Sequence, residues 1–220
     1  VFLVITYYFF LLGLGIFWVI RQLVFNSKLK NEKMKAELML LKSQVSPHFF
    51  FNMLNNLYGL VAKNPQKAQE LILKLSDMMR YSIYEGEKDT VALREEVDFL
   101  KNFIELHKMR YHKQISVDFK CEVDENRKVV PLLFIILLEN AFKHGVENLR
   151  ENAYIKVNLI ESQKQIRFMV ENNYNRIHNE AGIGLKNLKR RLELIYPKQY
   201  ELTFSISENV YQAQLILNKL

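Results

Sequence analysis

The first twenty residues, VFLVITYYFFLLGLGIFWVI, contain no charged side chain. At 1.5 Å per helical residue, a run of this length reaches across a hydrocarbon core of ~30 Å. The alternative is a buried helix of a water-soluble domain. Twenty uncharged residues is long for that, and Tyr7, Tyr8 and Trp18 suit a membrane interface. No basic segment precedes the run and no small-residue cleavage site follows it, so a signal peptide is not expected. A transmembrane helix over 1–20 is. The chain opens on Val1 instead of Met, which fits a fragment with a segment upstream.

The basic excess sits directly after this run. The chain has 31 Lys and Arg against 24 Asp and Glu, a net charge of +7. Arg21, Lys28, Lys30, Lys33, Lys35 and Lys42 face only Glu32 and Glu37 across the juxtamembrane stretch. Positive flanks stay on the cytoplasmic side, so residues 21–220 are expected in the cytoplasm, beside membrane lipid. This location accounts for the basic balance without a nucleic-acid partner, and no later basic stripe interleaved with aromatics calls for one. The lone Cys121 excludes an intramolecular disulfide framework and a four-cysteine zinc module.

Residues 27–45 lack Gly and Pro and are rich in helix formers. Met34, Leu38, Leu41 and Val45 step by 4, 3 and 4, the spacing of a coiled-coil seam, and Asn31 falls seven before Leu38, where a buried amide sets register. A parallel dimer is expected there. In SPHFFFNMLNNLYGLVA, Phe50, Met53, Leu54, Leu57 and Val61 form one helical face, and His48, Asn52, Asn55 and Asn56 form a polar stripe. Pro47 either starts a helix after an N-cap at Ser46 or kinks a continuous one beside His48. Amphipathic helices are predicted at 65–83 and 93–110, parted by the turn-like EGEKDT at 85–90. ISVDFKCEV at 115–123 then alternates as a half-buried strand does. Further strands are expected at 154–160, 165–171, 201–207 and 210–217, with helices at 132–144 and 184–196. The chain therefore divides near residue 112, with helices before and an α+β layer structure after.

Two segments carry chemistry. PLLFIILLENAFKHG, 131–145, is apolar all round for its first half, as a buried helix is. Its last turn brings Glu139, Asn140, Lys143 and His144 together, with Gly145 as the expected C-terminal stop. A buried polar cluster must be satisfied. It is either an internal Glu–Lys pair with a capping role, or a ligand site in which Lys143 faces phosphate and Asn140 offers oxygen to a hard cation such as Mg²⁺. The second segment is AGIGLKNLKRRLELIYP, 181–197, where Gly182 and Gly184 precede a basic helix whose N-terminus favours anions. A tight strand-to-helix turn is the plainer reading. There is no GxxxxGK[ST] P-loop and no protein-kinase HRD or DFG segment.

In this order, QVSPHFFFNMLNNL, LSDMMRYS, LREEVDFLKNFIELHKMRY, VPLLFIILLENAFKHG and GIGLKNLKRRLELIYP resemble the LytS/YehU-type sensor histidine kinases of bacteria, over about residues 38–220. The resemblance implies a transmembrane helix at 1–20 that ends a sensor region, and a basic coiled-coil linker at 21–45. A dimeric helical phosphoacceptor domain at 46–112 and a GHKL (Bergerat-type) α/β sandwich at 113–220 would follow. It implies a home in the bacterial inner membrane, ATP and Mg²⁺ as cofactors, and a homodimer as the working unit. His48 becomes the phosphoacceptor and Asn52 a residue that positions the phosphoryl group or a hydrolytic water. Asn140 becomes the Mg²⁺ ligand, with Glu139, Lys143 and His144 on the phosphate side. Gly182, Gly184 and Asn187 form the loop against phosphates and ribose. Arg110 and Arg191 match family positions without an assigned role.

Two departures stand out. Most GHKL relatives carry Asp-x-Gly-x-Gly, whose carboxylate accepts the adenine amine. Here VENNYN places Asn172 at the Asp and Tyr174 at a Gly, and an amide oxygen still accepts that bond without charge. Phe49 stands where an acidic residue follows the phosphoacceptor in the larger group. Near pH 7 much of an imidazole is neutral and nucleophilic without help. The implied activity is autophosphorylation of His48 from ATP, with transfer to an aspartate of a response regulator, LytTR-type regulators being the candidates. The rivals are a catalytically weak nucleotide-binding scaffold and a GHKL ATPase without phosphohistidine. His107, His112 and His178 are read as surface or structural.

Overall fold

The computed structural model of the chain describes residues 2–42, 47–111, 114–124, 127–147, 149, 151–174 and 182–218, with the side chains of 2–10, 31, 35, 39–42, 47 and 48 outside the description. The chain forms two compact units, Val1–Leu41 and Lys42–Leu220.

The first unit is a single helix, α1 (Phe2–Lys42), which joins the apolar run and the basic linker without a break. Among the described residues no helix is long and apolar enough to cross a membrane. The described apolar stretch starts at Leu11 and meets Arg21 ten residues later, while half of the run expected to span falls among side chains outside the description.

The second unit begins with α2 (Pro47–Lys63) and α3 (Pro65–Arg80), which pack as a hairpin. The Asn64 side chain accepts the Lys67 N–H at 3.0 Å and Pro65 sits at the first helical position, so the turn between them is capped by its own sequence. Met53, Leu71, Leu75 and Met78 are buried between the helices. One π-helical turn, Tyr81–Glu85, ends the hairpin.

After β1 (Val91–Ala92), α4 spans Leu93–Arg110, as the periodicity predicts. The Glu95 carboxylate accepts the Ala92 N–H at 2.9 Å and closes its first turn. The helix packs on α2 and α3 on one side and on β2 (Ile115–Glu122) on the other, so its partners lie on both sides of residue 112. β3 (Lys128–Val129) pairs antiparallel with β1.

Next come α5 (Ile135–Ala141), a second π-helical turn (Phe142–Val146), β4 (Ala153–Glu161), β5 (Gln165–Asn173), α6 (Ile183–Ile195), β6 (Tyr200–Ser207) and β7 (Val210–Asn218). Five strands form one sheet in the order β2-β4-β5-β7-β6. β2 and β4 run parallel, which requires the crossover that α5 supplies, and the other pairs are antiparallel.

Alternation decides which face is covered. Ile155, Val157 and Leu159 of β4, Phe168 and Val170 of β5, and Ala213, Leu215 and Leu217 of β7 are buried. They join Leu133, Phe134, Leu137, Leu138, Leu188 and Leu192 of the helical layer in one core. Phe134 and Phe168 meet across the layers with ring centroids 4.9 Å apart. Each fully buried side chain of this size contributes roughly 1.5–3 kcal/mol, and this core holds α5 against the sheet.

Candidate functional site

Gly145 and Asn172 come together because α5 and its π-helical extension pack on β4 and β5, and Asn140 joins them through Tyr211 of β7. Glu139 and Asn140 are half-buried near the end of α5. Lys143 is exposed and His144 half-buried, and both lie in the π-helical turn, not in the continuous α-helix expected over 131–145. Single π turns inside α-helices are frequent at functional sites. Burial and then the neighbouring Lys143 charge lower the His144 pKa below its ordinary value, so this imidazole is neutral at pH 7.

Gly145 is not the helix stop that its position suggests. No described glycine has a positive φ, and Gly145 lies inside the π turn, fully buried. A Cβ there would stand 2.9 Å from the Asn172 carboxamide carbon and 2.9 Å from the Asn173 carbonyl oxygen. The glycine is required by this approach of β5.

Asn172 itself is 1% exposed. Its Nδ2 donates to the Asn173 carbonyl at 3.0 Å, and its buried Oδ1 accepts nothing among the described residues. A buried acceptor without a partner costs about 1–3 kcal/mol. Tyr211 of β7 pairs in register with Asn172, and its hydroxyl is hydrogen-bonded to Asn140. Burial pushes the Tyr211 phenol up to about 12, so the hydroxyl stays protonated and holds the Asn140 side chain. No feature of the sequence marks Tyr211, which reads as one strand residue among several.

Gly182 is the residue before α6, with extended backbone and no side-chain cap. A Cβ on Gly182 would meet nothing within 4 Å, and one on Gly184 would touch only Ile136 of α5, at 3.8 Å. Protein packing therefore does not demand either glycine. The Leu185 N–H already donates to the Gly182 carbonyl at 3.1 Å, which leaves the N–H groups of Ile183 and Gly184 without an intrahelical acceptor, and Asn187 is half-buried one turn further on. Residues 175–181, which hold His178 and the start of the glycine segment, lie outside the described residues.

His48 is the second residue of α2. Its side chain lies outside the described residues, as do the expected N-cap Ser46 and His112. Asn52 is half-buried one turn on. The helix that carries both is fixed to α4 through Phe49, Met53 and the Asn56 Nδ2, which donates to the Met109 carbonyl at 3.4 Å. Phe49 stacks on His107 with centroids 5.1 Å apart, and His107 stacks on Phe142 of the π turn at 4.2 Å. His107 is thus structural. It is 4% exposed, neither ring nitrogen has a hydrogen-bond partner among the described residues, and burial lowers its pKa to about 3. Arg110 also gains a place: with the Tyr111 hydroxyl it meets the Glu147 carboxylate, both at 2.9 Å, tying the end of α4 to the end of the π turn. Among the described residues no group of three or more His, Cys, Asp or Glu is placed to hold a metal ion.

Residues 36–115 match the histidine kinase family model. The sensor histidine kinase/phosphatase LytS of Staphylococcus aureus strain MRSA252 is 33% identical over 187 residues, 77% of this chain and 32% of the relative. LytS of strain N315 matches to the same extent. The chain thus spans about a third of the length of these curated relatives. Among solved structures, the catalytic domain of histidine kinase ThkA is 19% identical, with 59% of this chain and 94% of that one covered and a TM-score of 0.45. The histidine kinase domain of the Erythrobacter litoralis EL346 blue-light activated kinase is 14% identical, with 86% and 93% covered and a TM-score of 0.47. From the family model and the identity to LytS, the chain belongs to the histidine kinase family.

Proposed function

We propose that the chain is the kinase portion of a dimeric membrane sensor histidine kinase. It transfers the γ-phosphoryl group of ATP to His48 and passes it on to an aspartate of a response regulator, LytTR-type regulators being the candidates. The observation that carries the reading is the buried, unpartnered Asn172 oxygen beside Gly145. An exocyclic amine such as that of adenine is the donor that this acceptor fits, and a GHKL-type nucleotide site would place one there.

The remaining residues fit magnesium nucleotide. Asn140, held by Tyr211, offers an amide oxygen, and Mg²⁺ prefers few protein oxygens together with phosphate and water. Lys143 supplies positive charge and neutral His144 a hydrogen-bonding ring, with Glu139 beside them on the phosphate side. The first turn of α6, after Gly182, offers the N–H groups of Ile183 and Gly184 to phosphate oxygens, and Asn187 a polar side chain. The bound nucleotide would provide the phosphoryl group. His48 attacks as the neutral imidazole: a ring nitrogen bonds the γ-phosphorus, the bond to the ADP oxygen breaks, and the proton on the other ring nitrogen is released. Asn52, one turn on, positions the phosphoryl group or a water.

Two finer points belong to the same reading. The apolar run 1–20, with its basic flank, anchors the chain in the inner membrane and leaves 21–220 in the cytoplasm. In support, Phe17, Trp18 and Leu23 of α1 are all more than 60% exposed. The homodimer forms across the hairpin, where Phe51, Leu54, Tyr58, Ile72 and Leu73 are exposed, an apolar face that calls for a partner.

The deciding experiment incubates the full chain with γ-labelled ATP and Mg²⁺. Acid-labile label is expected on the protein, and none on His48→Gln or Asn140→Asp. A wild-type chain that binds nucleotide and takes no label would instead be a signalling scaffold, a reading that the neutral Asn172 in place of a carboxylate favours.

A further inference from the structure

A buried polar network joins the end of the hairpin to the helices of the nucleotide site. Its centre is Leu132, a non-glycine residue at φ 59. This left-handed conformation costs roughly 1–2 kcal/mol and persists only where the surroundings over-determine it. Leu132 is pinned on three sides. Its N–H donates to Glu96 Oε1 at 2.7 Å, and its carbonyl accepts from Arg191 Nη1 at 3.0 Å. Its Cδ1 lies 2.8 Å from where a Cβ on Gly86 would stand, just past the π-helical turn. The other Arg191 Nη donates to the Pro131 carbonyl. Glu96 and Arg191 are both fully buried, at 0% and 2% exposure.

The network reaches the hairpin through one hydroxyl. Tyr81, the first residue of the π turn, donates to the same Glu96 Oε1 at 2.7 Å, and its ring stacks on Phe99 of α4 with centroids 4.8 Å apart. On the other side, Leu132 lies three residues before α5, which carries Asn140. Arg191 lies seven residues beyond Gly184 on α6, about 10 Å along the helix at 1.5 Å per residue. A displacement of the 131–132 turn therefore shifts the start of α5 and the seat of α6 together.

We infer that Tyr81 and Glu96 are positioning residues that lock the hairpin's π-helical end to the Pro131–Leu132 turn, and so set how the phosphoacceptor hairpin is presented to the nucleotide site. This rests on the phosphotransfer reading above. Transfer needs His48 and the nucleotide in one geometry, and loosening such a geometry lowers turnover without touching the groups that bind nucleotide. Arg191 and Glu96 are the charged core of the lock. Tyr81 is its one hydrogen bond to the hairpin among the described residues, and it can be removed without stranding a buried charge.

The test is Tyr81→Phe in the full chain. In the absence of nucleotide, the Leu132 amide is expected to exchange with solvent about tenfold faster than in wild type, with the amides of β4 and β5 unchanged. With labelled ATP and Mg²⁺, the rate of His48 labelling at saturating ATP is expected to fall about tenfold, with half-saturating ATP within about twofold of wild type. Unchanged exchange at Leu132 overturns the inference, and so does a saturated rate equal to wild type. A rate loss accompanied by an equal loss of nucleotide affinity and of global stability also overturns it, because that pattern belongs to a merely structural contact. A wild-type chain that takes no label sinks the phosphotransfer reading instead, and the exchange measurement still decides whether Tyr81 holds the turn.

Discussion

Asn172 fills the space in which a side chain on Gly145 would have to stand, and its carboxamide carbon lies 2.9 Å from the ideal Cβ position. Neither partner has room to give: both are buried, and the Asn173 carbonyl blocks the same spot at 2.9 Å. Gly145→Ala is therefore expected to destabilise the second unit by about 1–3 kcal/mol, the range for overpacking. It should also weaken nucleotide binding, because the side chain that moves is the unpartnered acceptor. Thermal unfolding with and without magnesium nucleotide reads both effects. An alanine variant as stable and as tight-binding as wild type would show that β5 retreats at no cost.

Asn172→Asp separates stability from affinity at the same spot. The wild-type amide donates to the Asn173 carbonyl at 3.0 Å. A carboxylate would lose that bond and set a negative charge against the carbonyl oxygen. Without ligand the variant should lose about 1–3 kcal/mol. Hydrogen bonds to a charged acceptor are roughly twice as strong as neutral ones, so nucleotide affinity should rise while the free protein weakens. A denaturant titration of the free chain and a nucleotide titration would show the two changes with opposite signs.

Tyr211 holds Asn140 through its hydroxyl. Tyr211→Phe removes that bond and keeps the ring, at a stability cost of about 1 kcal/mol. The freed amide samples other rotamers, so the Mg²⁺ concentration that half-saturates phosphorylation should rise several-fold, with the saturated rate little changed. A magnesium titration at fixed ATP distinguishes this from a general loss of activity.

Much of this was legible in the residues. α4, β2 and α6 fall within a residue of their predicted bounds because strict periodicity and clean punctuation coincide there. The pairing of Asn140 with the glycine segment is an expectation from family likeness, and the packing of α5 on α6, with Gly184 near Ile136, follows from the apolar faces of both helices. What escaped was set by tertiary contact. A π turn leaves no periodic signature, so Tyr81–Ile83 and Phe142–His144 read as plain helix, with a turn from Glu85 and a stop at Gly145. Nothing in LREEVDFL marks Glu96, and only the fold shows it at 0% exposure. Gly145 reads as a helix stop until β5 is laid against it, and β1 and β3, two residues each, are too short to alternate.

His107 gives the second unit an acid sensitivity with a definite sign. Its ring lies among Phe49, Phe103, Phe142 and Tyr111, without a hydrogen bond to either nitrogen among the described residues. Burial first, and then the Arg110 charge, lowers its pKa to about 3 from the ordinary 6.5. The unfolded chain takes up this proton below about pH 6.5 and the folded chain only near pH 3, so the unfolded state binds more protons across that window. The stability contributed by the neutral ring is therefore complete above pH 6.5. It should be lost as the pH falls toward 3, by at most about 1.4 kcal/mol per pH unit. His107→Leu removes both the titration and the two unpaired nitrogens. The leucine variant should accordingly unfold at a higher denaturant concentration than wild type at pH 5, with a smaller advantage at pH 8. Urea titrations at the two pH values check this, and an advantage that did not shrink between them would mean that the imidazole is not held neutral by its ring cage.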